Sequence, residues 1–201
     1  MNALLRAVYG LRMLWAVLAA FLVGSGLILA TGHNPLRAYA ALFEGAFFDY
    51  YGVADTLVKM CPMLLAGLAV IIPMRCGLFN VGAEGQIYIG GLASAAVALY
   101  LPEIHWLPHL LLCLLAGMFG GGLWALVPGY LRACRGINEV IVTLLMNYVG
   151  INVVSYFVSG PMMQPDAPYP YSPEISEGLQ LPLLLSDADT HIGVLIALAL
   201  C

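Results

Sequence analysis

Uninterrupted apolar stretches of bilayer length constrain this chain more than any other feature of its sequence. From Met13 to Ala30 no charged residue occurs. Comparable runs, each with at most one charge, follow at Leu57–Met74, Ala83–Leu101, His109–Val127 and Glu139–Val158. A helix crossing the hydrocarbon core needs about 20 apolar residues. Barrel strands would instead alternate apolar and polar residues over about ten positions, and these runs do not alternate. The expected fold is therefore all-α, a polytopic transmembrane helical bundle spanning 1–201 as one domain. A sixth run opens at His191 and stops at Cys201. About ten residues cannot cross a bilayer, so about six spans are expected, with the last one truncated.

Composition agrees with lipid as the solvent. Hydrophobic residues make up 62% of the chain and charged ones 9%, against about 45–50% and about 25% in soluble domains. The net charge is −4 and the few basic residues are scattered, so no nucleic-acid surface is expected. Five cysteines at 61, 76, 113, 134 and 201 share no C-x-x-C spacing. They read as free thiols rather than as a disulfide framework or a metal site.

The connections give an orientation. With the N-terminus in the cytoplasm, Arg6, Arg12, Arg75, Arg132 and Arg135 fall inside, leaving Arg37 and Lys59 outside. That bias satisfies the positive-inside rule. His33, Asn34 and Pro35 mark a turn, and the aromatic-rich stretch up to Lys59 reads as a short helix on the outer surface. Residues 160–190 form a Pro-rich loop carrying Asp166, Glu174, Glu177, Asp187 and Asp189 and no lysine or arginine. In this orientation the loop is extracytoplasmic.

Two stretches carry polar chemistry at membrane depth. The first is Arg75–Gln86, "RCGLFNVGAEGQ". Gly77, Gly82 and Gly85, with Asn80, disfavour a continuous helix, so a glycine-broken helix is expected near 77–85. Irregular backbone at that depth is tolerated where protein or a water-filled cavity surrounds it. Glu84 would stand in the first turn of the next helix, facing the positive end of its dipole. The stretch reads either as a tight, charge-capped turn or as a broken helix lining a transport path, and spacing does not decide whether Arg75 and Glu84 pair. The second is a stripe at helical spacing formed by Glu139, Thr143, Asn147 and Gly150. Polar groups in a span face the bundle interior or a cavity, so the stripe is either interhelical glue or path lining. Gly90 and Ser94 on one span and Gly117 and Gly121 on the next read as close helix packing.

These two stretches resemble a known family. "GLFNVGAEGQ" (Gly77–Gln86) and "NEVIVTLLMNY" (Asn138–Tyr148) are similar to the permease subunits of bacterial ABC importers in the branched-chain amino acid, ribose and nucleoside permease superfamily. They look most like its nucleoside, or simple-sugar-like, branch, and the likeness extends over nearly the whole chain. The resemblance implies a translocation path for a nucleoside or related small polar solute in a bacterial inner membrane. It implies a second permease subunit, identical or not, and cytoplasmic ATP-binding subunits that drive alternating access. An extracytoplasmic solute-binding protein would deliver the solute. Substrate-path candidates are then Gly77, Asn80, Gly82, Glu84, Gly85, Gln86, Glu139, Thr143 and Asn147. Family members run longer and carry a cytoplasmic segment for the ATPase that does not occur here, so the sequence reads as an N-terminal part.

No G-x-x-x-x-G-K-[ST] phosphate loop, H-E-x-x-H or nucleophile elbow occurs. The chain is thus expected to be a transport subunit rather than an enzyme, with no cofactor of its own and ATP held by its partners. The alternative function is an ion-coupled secondary carrier or channel. That class predicts acidic residues deep within spans, whereas Glu84 and Glu139 stand at helix starts.

Overall fold

The computed structural model describes residues 3–102, 104–184, 188 and 190–201. Seven α-helices follow in order: α1 (Ala3–Ala30), α2 (Pro35–Phe47), α3 (Tyr50–Arg75), α4 (Ala83–Tyr100), α5 (Trp106–Arg135), α6 (Glu139–Ser159) and α7 (Gly193–Leu200). The described residues are thus an all-α bundle. Helices α3, α5 and α6 are long and apolar enough to cross a membrane. The bent pair of α1 from Leu14 and α2, turned by 116°, would make a fourth span if it crosses as one. Helix α4 is shorter, and Glu84, Gln86 and its glycines dilute its apolar character.

The chain forms two compact units, residues 1–56 and 57–201. In the first, the expected turn at Asn34 is a helix start. Asn34 Oδ1 accepts from the Leu36 and Arg37 N–H groups at 2.9 and 3.4 Å, and Pro35 fits the first helical position because it has no N–H to leave unsatisfied. Tyr39 donates its hydroxyl to the Phe21 carbonyl at 2.9 Å and packs edge-on against the Phe21 ring, joining α2 to α1.

Several expected boundaries move, among them the starts of α1 at Ala3 and of α5 at Trp106. The aromatic stretch is divided: α2 stops at Phe47, and the second apolar run is already helical from Tyr50 rather than Leu57. Asp49 is the physical reason, since its Oδ2 accepts from the Gly52 N–H at 2.9 Å and so caps a new first turn. Gly52 lies directly on the Gly45 carbonyl, where no side chain would fit. The fourth run does not end at Val127 but continues through Pro128 to Arg135. Gly136 stops it in a left-handed conformation (φ +63°), which glycine adopts without steric cost. The sixth run becomes helical at Gly193 rather than His191.

The second unit is built around α4. Gln86 and Gly90 lie beside Gly121 and Gly117 of α5, so these helices are antiparallel. At the start of α4, Val81 and Gly85 lie beside Thr143 and Asn147 of α6, and at its last residue Tyr100 donates to the Pro161 carbonyl at 2.8 Å. Helices α4 and α6 are therefore parallel. Cys61 of α3 packs with Val194 and Ala197 of α7 and donates its thiol to the Gly193 carbonyl. The Pro-rich loop contains a short 3-10 turn at Glu177–Leu179 and an isolated bridge between Leu183 and His191. Asp187 and Asp189 lie outside the described residues.

Candidate translocation site

The glycine-rich connection between α3 and α4 is an irregular segment of turns rather than a continued helix. Gly77 turns the chain with φ +76°, a conformation that costs any side-chain-bearing residue. Beyond it the backbone is held by side chains from α6. Val81 N–H donates to Thr143 Oγ1 at 3.3 Å, and Asn147 Nδ2 donates to the Val81 carbonyl at 2.9 Å. Asn147 Oδ1 accepts from the Gly85 N–H at 2.8 Å.

Gly85 is the third residue of α4, and its N–H is one of the donors that a helix start leaves without an intrahelical partner. The residue before α4, Gly82, has no side chain to supply a cap. Asn147 supplies it from another helix. The approach is close enough to require glycine. A Cβ on Gly85 would stand 3.0 Å from Asn147 Cα, and one on Gly82 3.0 Å from Thr143 Cβ. Thr143 and Asn147 are buried, at 3% and 8% exposure. A buried amide with both ends satisfied stabilises its surroundings, whereas each partner left unpaired would cost about 1–3 kcal/mol.

Asn80 forms a second centre. Its Oδ1 accepts from Gly82 N–H at 3.0 Å and from Gln86 Nε2 at 3.2 Å. Its Nδ2 donates to the Ala69 carbonyl at 3.0 Å and faces Gln86 Oε1 at 3.3 Å. The Ala69 contact follows from Pro73, four residues on in α3. Proline has no N–H, so the Ala69 carbonyl lacks its helical partner, and Asn80 takes that place.

A third connection lies at the same end of the unit. Arg132 Nε and Glu139 Oε2 are 3.2 Å apart, and Glu139 Oε1 accepts from the Phe79 N–H at 3.4 Å. Together the three centres surround a cavity of about 120 Å³ bordered by Asn80, Gln86, Arg132, Glu139, Thr143 and Phe79. A larger cleft of about 600 Å³ opens along α3, α4 and α5.

The structure thus brings Asn80, Gly82, Gly85, Gln86, Glu139, Thr143 and Asn147 into one neighbourhood. Gly77 shapes the turn, and a Cβ added there would meet open space rather than the cluster. Glu84 is exposed on the first turn of α4, and no described contact joins it to the others or to Arg75. The basic residue that belongs to the site is Arg132, which the sequence presents only as one of several orienting charges. Gly90, Gly117, Gly121 and Ser94 meet at the α4–α5 contact: a Cβ on Gly90 would lie 2.9 Å from the Gly117 carbonyl, and one on Gly117 3.5 Å from Ser94 Cβ. Among the described residues no group of histidine, cysteine and carboxylate side chains could hold a metal ion.

The family described as branched-chain amino acid transport system / permease component matches residues 52–201, which include every element of this site. The chain belongs to that permease family. It is similar to a glucose ABC transporter permease protein of Haloferax volcanii, 38% identical over 95% of this chain and 52% of the relative. A guanosine ABC transporter permease protein of Bacillus subtilis is 34% identical over 91% of this chain and 53% of the relative. A nucleoside ABC transporter permease protein of Lactococcus lactis is 38% identical over 67% of this chain and 37% of the relative. The chain thus spans about half the length of the first two relatives and less of the third. No solved structure matches it.

Proposed function

We propose that this chain is a membrane-spanning permease subunit of an ABC importer and forms part of the path for a nucleoside or related small polar solute. The observation that carries the reading is the family match over residues 52–201, which includes the clamped break and its cavity. Relatives named for guanosine, nucleosides and glucose share polyhydroxylated solutes as their common chemistry. A path for such a solute needs uncharged donors and acceptors, and the Gln86 amide, held by Asn80 with one donor and one acceptor to spare, supplies both at the cavity wall. Arg6, Arg12, Arg75, Arg132 and Arg135 would face the cytoplasm, and the acidic loop at 160–190 would meet an extracytoplasmic solute-binding protein. A second permease subunit and ATP-binding subunits complete the assembly. ATP would bind those partners, and this chain would need no cofactor of its own.

An ion-coupled carrier would require a carboxylate free to bind an ion within the bundle. Glu139 is already held by Arg132, and Glu84 stands exposed at a helix start. The test is uptake of radiolabelled guanosine and of glucose by the assembled transporter in proteoliposomes, with its binding protein on one side and ATP on the other. ATP-dependent, saturable uptake of at least one solute is expected. Asn80→Leu, which removes the amide and strands the Ala69 carbonyl, is expected to lower that uptake by about tenfold or more with subunit assembly intact. Uptake that ignores ATP and follows an ion gradient would overturn the reading.

A further inference from the structure

Gln86 is the one residue that the small cavity and the larger cleft share. The small cavity lies at the arginine-bearing end, between Arg132, Glu139 and Asn80. The cleft extends away from that end along α4 and α5 as far as Ser94 and Cys113. Gln86 therefore stands where the two volumes adjoin. Its amide is held there by Asn80 through two reciprocal contacts, at 3.2 and 3.3 Å. Asn80 is in turn held by the Gly82 N–H and the Ala69 carbonyl.

The hydrogen-bond capacities of the two amides differ in consequence. Asn80 Oδ1 accepts twice and its Nδ2 donates twice, so its side chain is fully engaged by protein. Gln86 has one described contact at each end of its amide and so retains a free donor and a free acceptor. A side chain with spare capacity and several rotatable bonds, tied by two neutral hydrogen bonds between two cavities, can exchange its protein partner for a polar solute at little net cost.

We infer that Gln86 is a gate residue between the cleft and the arginine-end cavity, with Asn80 as the positioning residue that holds it closed. Release comes when a solute hydroxyl or amide competes for the Gln86 amide, or when α3 moves at Pro73 and withdraws the Ala69 carbonyl from Asn80. This inference deepens the permease reading and rests on it for its solute. The separation of the two cavities does not depend on which solute passes.

Cys113 lines the cleft and is buried, so if Gln86 closes the cleft toward the arginine-bearing end, labelling of Cys113 from that end reads the gate. The experiment uses the assembled transporter with Cys61, Cys76, Cys134 and Cys201 changed to serine. A membrane-impermeant thiol reagent is added from the arginine-bearing side without nucleotide. Cys113 should label slowly in this background and about tenfold or more faster once Gln86→Ala removes both amide contacts. Asn80→Asp keeps an acceptor for Gly82 but loses the donors to Ala69 and Gln86, and intermediate labelling is expected. Equal labelling in all three, with gel filtration and melting unchanged, would overturn the gate. If Gln86→Ala does not assemble, the Asn80→Asp rate alone decides in the same sense. Faster labelling without uptake of guanosine or glucose would leave the gate standing and sink only the solute assignment.

Discussion

The two faces of α4 are held in different ways. Toward α6 the contact is directional: Thr143 and Asn147 reach across to named backbone atoms of Val81 and Gly85. Toward α5 it is a contact of shapes, in which Gly90, Gly117, Gly120 and Gly121 bring the two backbones together. Lipid offers helices no hydrophobic gain on association, so packing and interhelical hydrogen bonds must do it. Helix α4 uses one of these on each side. The polar face fixes register at the break, because a hydrogen bond is lost when its partner slides by a residue. The glycine face permits intimate approach along the regular helix without prescribing which atoms pair.

The comparison can be broken most severely on the polar face. Asn147→Leu would strand the Val81 carbonyl and the Gly85 N–H together, at about 1–3 kcal/mol for each group. A marked fall in the melting temperature of the purified transporter is expected, together with reduced assembly. Unchanged melting with impaired uptake would instead make Asn147 a path residue. On the glycine face Gly90→Ala places a Cβ 2.9 Å from the Gly117 carbonyl, backbone that cannot rotate away. Overpacking of this kind costs about 1–3 kcal/mol, readable as a smaller drop in melting temperature. The smallest effect should come from its neighbour. Gly91 has nothing within 4 Å of an added Cβ, so Gly91→Ala should leave stability unchanged or raise it by about 0.5–1 kcal/mol through helix propensity. Equal responses at 90 and 91 would show that close approach is not what the glycines provide.

Much of this was legible in the sequence. The apolar runs mark the helices, and the spacing of residues 139, 143, 147 and 150 places Thr143, Asn147 and Gly150 on one face, where they are all buried. The glycines at 90, 117 and 121 announce close packing. What spacing cannot convey is the partner across space. Asn147 is recognisable as a polar residue in a span, but not as the cap of a helix that begins 64 residues earlier at Ala83. Pro73 signals an unpaired carbonyl at Ala69, yet nothing local assigns that carbonyl to Asn80. Arg132 was hidden by its resemblance to the other arginines at helix ends. The early start of α3 depended on a short cap, Asp49 to Gly52, inside a stretch whose aromatics suggest an interfacial helix.

The cap on α4 also sets an order of events during synthesis. Residues 76–86 leave the ribosome long before Asn147, from which Gly85 is separated by 62 positions. Until α6 has been made and has entered the bilayer beside α4, the Gly85 N–H and the Val81 carbonyl lack their native partners. The segment must wait in water, in the headgroup layer or within the insertion machinery, because bare backbone is costly in hydrocarbon. A nascent chain halted before residue 147 should therefore leave the start of α4 open to protease, and one extended past α6 should close it. The start of α4 cannot be capped in a half-made bundle.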